Sequence, residues 1–231
     1  MKSPLLLLPL LLAACTTQQT VDNNPVLTIE GGQVQGVELE NSVVYRGIPY
    51  AAPPVGELRW QRPQPVQAWE GVLQADTWSC GSWQAAHDPN DANYGVEFYD
   101  NDPEFSEDCL YLNVWVPKGS AGQTDKKLPV AVWIHGGGFR EGWGSEPEFD
   151  AQEWAAKDVV LVSMNYRLGV FGFLAHPELS AESPHHVSGN YGILDQIEAI
   201  KWVKRNIAQF GGDPENITIF GESGGGGKVG T

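Results

Sequence analysis

Four stretches of this chain are apolar almost without a break: LYLNVWV from residue 110, LPVAVWIHG from 128, VVLVSMNYR from 159 and ITIFG from 217. A strand with one face in water alternates apolar and polar residues. A short continuous apolar run bounded by turn residues fits a strand covered on both faces. Between the second and third runs the sequence predicts a helical segment near 150–157, where Asp150 and Glu153 have capping-box spacing. Between the third and fourth a longer helix is predicted over about 190–210. Its Ile193, Ile197, Ile200, Val203, Ile207 and Phe210 recur at three- and four-residue intervals. Strands separated by helices predict an α/β fold with a largely parallel sheet and helices on both faces. Residues 26–46 alternate in shorter β-like pieces with a turn signal at Gly31 and Gly32, which adds an antiparallel start and makes the sheet mixed.

The rest of the chain bounds its context. A formal net charge of −15, with 14 basic residues and no run of them, argues against a nucleic-acid groove, which needs clustered Lys and Arg. Residues 1–15 read as an export leader: Lys2, an apolar run over 5–12, then Ala13 and Ala14 before Cys15. LAAC resembles the bacterial lipobox, so Cys15 is the expected lipidation site, with an ordinary cleaved leader as the alternative. The resemblance implies a lipid-anchored protein of the bacterial cell envelope, with residues 16–25 as a polar tether. Cys80 and Cys109 remain as an even pair, and such pairs in exported proteins usually form disulfides. Closing that loop would contribute about 3–4 kcal/mol in the chain-entropy model. Two buried thiols are the alternative, and no metal-ligand spacing accompanies them. The acidic, aromatic segment 88–108 reads as a long loop inside this ring, and its carboxylates match no calcium-loop motif.

The fourth apolar run leads directly into Gly221-Glu222-Ser223-Gly224-Gly225. A G-x-S-x-G after a strand predicts a sharp strand-to-helix turn that lifts one hydroxyl to the sheet's rim, with small residues two before and two after the serine. A phosphate loop does not fit, because Glu222 and Val229 stand where such a loop around Lys228 needs Gly and Ser or Thr. A flexible glycine tail would not follow a buried strand. The second run leads into IHGGGF, whose successive glycines can turn backbone N–H groups toward one point without side chains in the way. Such donors stabilise an oxyanion by several kcal/mol when aimed where charge develops.

SEDCLYLNVW (106–115) and FGGDPENITIFGESGG (210–225) resemble signatures of the type-B carboxylesterase/lipase family, which includes the cholinesterases. YRGIPYAAPPVGELRW and GNYGILDQ resemble it too, so the likeness covers 26–231. It implies the α/β-hydrolase fold and carboxylic-ester hydrolysis through an acyl-enzyme on a small-molecule ester, with no cofactor or metal. It implies Ser223 as nucleophile, the N–H groups of Gly137, Gly138 and Gly224 as the oxyanion hole, and pairing of Cys80 with Cys109. The family's usual residue after the serine is Ala; Gly224 keeps the N–H and loosens the turn. Glu222 matches a position beside the nucleophile where a carboxylate can influence the field, although a surface Glu would look the same.

Acyl transfer by serine needs a histidine base and an acid to orient it, and in this fold both follow the serine. Residues 224–231 contain neither. His87, His135, His176, His185 and His186 all precede Ser223. The sequence therefore reads as the N-terminal portion of such a domain, truncated after the elbow, inactive alone and with an open sheet edge. A non-catalytic binding or adhesion module on the same fold, as in relatives resembling neuroligins, is the rival reading. The retained Ser223 and HGGGF favour the enzyme.

Overall fold

The computed structural model describes residues 25–85, 103–147 and 151–231. In chain order the first half forms β1 (Leu27–Ile29), β2 (Gly32–Gln35), β3 (Val37–Glu38), β4 (Ser42–Pro49), β5 (Val72–Gln74), β6 (Gly81–Ser82), β7 (Phe105–Ser106) and β8 (Tyr111–Pro117). The second half forms β9 (Leu128–Ile134), α1 (Gln152–Ala155), β10 (Val160–Met164), α2 (Gly169–Phe173), α3 (Pro177–Glu182), α4 (Tyr191–Asn206), β11 (Gly212–Gly221) and α5 (Gly224–Val229). Six strands lie side by side in the order β11-β9-β10-β8-β4-β3, while β1, β2 and β5 form a small separate sheet.

Three of the four apolar runs are the central strands β8, β9 and β10, whereas the fourth, ITIFG, lies in the edge strand β11 and is only partly buried. The lack of alternation in the central three has a direct cause. Val130, Val132 and Ile134 of β9 join one buried cluster, with Leu112, Val114 and Val116 of β8 and Val160, Val162 and Met164 of β10. The intervening Ala131, Trp133, Trp115 and Leu161 join a second cluster on the opposite face. Successive side chains of a strand point to opposite faces, so a sheet covered on both sides must be apolar at every position. Trp202 and Val203 of α4, with Ile207 and Phe210 just beyond it, cover the first face. Ala151 at the start of α1 belongs to the second cluster, and Trp154 of α1 packs on Phe220 of β11 with ring centroids 5.3 Å apart.

The sheet is mixed, but parallel pairing is confined to one side. β9 pairs in parallel with both β10 and β11, whereas β8 runs antiparallel to β10 and β4, and β4 antiparallel to β3. A parallel neighbour requires a long crossover, usually a helix. Among the described residues, α-helical crossovers occur from β9 onward, by way of α1 and α4.

The long helix corrects the isoleucine stripe. Ile197 is 42% exposed, and the buried positions are Tyr191, Gly192, Asp195, Gln196, Ala199, Trp202, Val203 and Asn206. Two of these polar residues are held by hydrogen bonds from elsewhere in the fold, whereas Gln196 Nε2 has no partner among the described residues. Asp195 takes Arg167 Nε at 2.8 Å and Nη2 at 2.7 Å. Asn206 accepts the Glu30 N–H at 2.8 Å.

Cys80 and Cys109 are free thiols here, half-buried and buried respectively, so the expected bridge is not formed in this structure. Burial pushes both thiols up, and burial followed by Asp108 raises the phenol of Tyr111, which lies near both cysteines. The leader, Cys15, His87, Asp150 and most of the acidic loop lie outside the described residues. Among the described residues no helix is long and apolar enough to cross a membrane.

Candidate active site

β11 ends at Gly221, α5 begins at Gly224, and Ser223 turns the chain between them with φ 50° and ψ −120°. That backbone conformation is rarely open to a residue with a Cβ, and it costs on the order of 1–3 kcal/mol. The surroundings hold it in place. The Gly225 N–H donates to Glu222 O at 2.7 Å and the Gly227 N–H to Ser223 O at 3.1 Å, closing the first turn of α5 over the bend. Neither Gly221 nor Gly225 has room for a side chain. A Cβ on Gly221 would stand 2.6 Å from Ile134 O and 2.7 Å from Gly225 C, and one on Gly225 would stand 2.0 Å from Ile134 O.

Sheet register brings the second motif to the same place. Gly221 lies opposite Ile134, the last residue of β9, so the chain leaving β9 emerges beside the bend at Ser223. A Cβ on Gly136 would come within 2.7 Å of Glu222 Oε2 and 3.4 Å of Ser223 Cβ. Gly137, Gly138 and Phe139 follow with φ of 79°, 58° and 70°, three consecutive left-handed residues that curl the turn tightly. The N–H groups of Arg140 and Glu141 close it by donating to Gly137 O at 3.0 and 3.1 Å. The turn then rests on the elbow: a Cβ on Gly224 would lie 3.1 Å from Gly138 N.

Beneath the turn is a buried polar chain. Lys228 of α5 is 5% exposed, and its Nζ donates to Tyr166 Oη at 2.6 Å. Tyr166 Oη donates in turn to His135 O at 2.8 Å. The His135 ring stacks on Tyr166 with centroids 4.4 Å apart and planes 16° off parallel. Burial, reinforced by the Lys228 charge, lowers His135 to about 3, so at neutral pH the imidazole is uncharged. Burial lowers Lys228 to about 8. Lys228 Nζ also sits 4.5 Å from the Phe139 ring centroid and 4.7 Å from that of Tyr166.

Known proteins share the sequence and the fold. A family model described as the carboxylesterase family matches residues 23–231. The chain belongs to the carboxylesterase family. It is 46% identical over 216 residues to a fumonisin B1 esterase of Sphingopyxis macrogoltabida, covering 92% of this chain and 37% of that protein. It is 45% identical over 202 residues to a para-nitrobenzyl esterase of Bacillus subtilis, covering 87% of this chain and 38% of that protein. A solved PNB esterase superposes with a TM-score of 0.78 at 42% identity, over 89% of this chain and 40% of that one. A Geobacillus stearothermophilus carboxylesterase gives a TM-score of 0.75 at 45% identity, again over 89% and 40%. These likenesses support the α/β-hydrolase fold, and the chain spans about two fifths of the length of these relatives.

The structure therefore brings Glu222, Ser223 and Gly224 together with Gly136, Gly137 and Gly138. Among the described residues it does not bring a free histidine to them. His135 is buried in the turn, and His176 caps α3 by accepting the Glu178 N–H at 3.3 Å. His185 and His186 lie on an exposed loop. Sequence reading missed Lys228, Tyr166 and the Arg167–Asp195 pair. A lysine in a glycine-rich helix and a tyrosine after a strand carry no local pattern; only the tertiary fold buries them. Among the described residues, no cluster of His, Cys, Asp and Glu could hold a metal ion.

Proposed function

We propose that this chain supplies the nucleophile and the oxyanion donors of a serine carboxylic-ester hydrolase acting on small-molecule esters. Ser223 Oγ attacks the ester carbonyl carbon, and the carbonyl electron pair moves onto its oxygen. The N–H groups of Gly137, Gly138 and Gly224 receive that oxyanion. The tetrahedral intermediate expels the alcohol, and water then releases the acid from Ser223. Each donor in such a hole is worth about 10²–10³ in kcat. The observation that carries the reading is the strained Ser223 backbone with the Gly138 amide nitrogen packed against Gly224.

The proton of Ser223 needs a base, and among the described residues no histidine is free to serve as one. None of residues 224–231 is His, Asp or Glu, and buried His135 is held neutral with Nδ1 3.2 Å from Gly136 O. The isolated chain is expected to show no ester turnover above background. Hydrolysis of a p-nitrophenyl ester by this chain, abolished by Ser223→Ala, would refute that expectation. Covalent capture of a p-nitrophenyl phosphonate at Ser223 by a longer protein containing these residues supports the nucleophile assignment. A longer protein that hydrolyses esters equally well as Ser223→Ala overturns it.

We also propose export to the bacterial cell envelope, with lipidation at Cys15 and pairing of Cys80 with Cys109 once the chain reaches an oxidising compartment. Mass spectrometry of the protein isolated from the envelope without reductant tests both. The expected result is a diacylglyceryl group on an N-terminal Cys15 and a linked Cys80–Cys109 peptide. An unmodified N-terminus and two alkylatable thiols would overturn them.

A further inference from the structure

Lys228 poses a problem that the ester-hydrolysis scheme does not solve. An ammonium at 5% exposure ordinarily finds a carboxylate. Among the described residues none pairs with it, and its only hydrogen-bond partner is the neutral Tyr166 hydroxyl. The compensation comes from two ring faces, those of Phe139 and Tyr166, at 4.5 and 4.7 Å. A desolvated cation over aromatic faces is attracted by the ring quadrupoles. The two rings belong to different parts of the site. Phe139 ends the left-handed run that begins at Gly137, and Tyr166 follows β10 and bonds to His135 O. Lys228 itself is on α5, the helix that begins just after Ser223. The missing Cβ of Gly224 would stand 3.6 Å from Nζ and 3.1 Å from Gly138 N. One ammonium therefore ties together the three pieces whose spacing defines the oxyanion donors.

We propose that Lys228 is a positioning residue for the oxyanion turn: its ammonium, caged by Phe139 and Tyr166, clamps the 137–139 turn to the helix that follows Ser223. The function assigned to that turn rests on the ester-hydrolase reading; the clamp itself does not. The cage works only with a cation. A neutral amine still reaches the Tyr166 hydroxyl but loses its attraction to the rings, which frees Phe139. Because burial lowers Lys228 to about 8, this loosening falls in an accessible pH range. The other titratable groups around the cage are Tyr166 and His135 in contact with it, Glu146 acting on Tyr166, Glu222 beside Gly136, and Glu141 closing the turn. Burial and the Glu146 charge raise Tyr166 well above its ordinary value, and burial and the Lys228 charge lower His135 to about 3, so Lys228 is the group in this cage that changes charge near pH 8.

The test uses the whole 231-residue chain with glycine-selective ¹⁵N labelling, following the amides of Gly137, Gly138 and Gly224 from pH 6.5 to 9.5. In the parent chain all three are expected to move together with a midpoint near 8. Lys228→Met should abolish that titration, and Lys228→Arg should keep the low-pH positions across the whole range. Static amides in the parent, or an unchanged titration in Lys228→Met, would overturn the clamp. If Lys228→Met fails to fold, the parent and Lys228→Arg still decide it. A longer protein containing these residues adds a reactivity arm, in which phosphonylation of Ser223 should slow at least 10-fold in Lys228→Met and recover in Lys228→Arg. Loss of phosphonylation in every variant would sink the nucleophile assignment while leaving the amide titration to judge Lys228.

Discussion

The side chain that Gly224 lacks would place its Cβ 3.1 Å from the amide nitrogen of Gly138. That spacing makes two adjacent glycines behave oppositely. Gly138 has open space on its other side, so it can yield the few tenths of an ångström that Gly224→Ala requires. The new alanine also removes backbone freedom from the unfolded chain, a gain of about 0.4–1 kcal/mol. Gly224→Ala should therefore raise the melting temperature by about 1–4 °C. Gly225→Ala would drive a Cβ to 2.0 Å from the Ile134 carbonyl oxygen, inside the β9–β11 ladder. It should abolish the cooperative melt in calorimetry. Equal melting of the two variants would contradict this account.

Ser223 stores strain, and its substitutions should show it. Ser223→Ala keeps a Cβ at φ 50° and ψ −120°, so it removes the hydroxyl without relieving the backbone. Ser223→Gly relieves on the order of 1–3 kcal/mol of strain against about 0.5–1 kcal/mol of added unfolded-state entropy. Urea titrations should rank glycine above both alanine and the parent, with alanine close to the parent. Glycine falling below alanine would count against a strained elbow.

His135 should govern part of the acid response. Its folded value of about 3 lies below the ordinary 6.5, so between these limits the unfolded chain binds the extra proton. The stability this contributes is fully present above pH 6.5 and is lost as pH falls toward 3. The full amount is about 5 kcal/mol. His135→Phe keeps a ring to stack on Tyr166 and removes the titration, so its stability between pH 6.5 and 4 should fall less steeply than the parent's. Parallel curves for the two proteins would refute the assignment.

Arg167 and Asp195 are 2% and 0% exposed and bonded through two nitrogens. Asp195→Asn leaves a buried guanidinium without a counter-charge and should cost about 3–5 kcal/mol in urea unfolding. The double change Arg167→Met with Asp195→Leu removes both charges and should cost less than Asp195→Asn alone. A double variant less stable than the single one would show that the pair contributes more than its own desolvation.

Much of this architecture was legible in the sequence because both sheet faces are covered. That condition writes itself as unbroken apolar runs, and β8, β9 and β10 lie where three of those runs stand, while the fourth run forms the partly buried edge strand β11. The elbow was legible for a related reason. A strained serine between close-packed backbones demands Gly221 and Gly225, and no other residue fits. The buried face of α4 was not legible. Its Asp195 and Asn206 are held by partners far away in sequence, and Gln196 is buried beside them, while Ile197 faces solvent.

The amino-acid order by itself determined which segments become strands of the main sheet and where the chain must bend sharply, because these follow from local periodicity and the steric demands of single residues. The tertiary structure alone decided that Ile134 sits opposite Gly221, that the glycine turn rests on Gly224, and that Lys228 is sealed between Phe139 and Tyr166. Register, burial and the electrostatics they create arise between residues distant in the chain, and no local pattern encodes them.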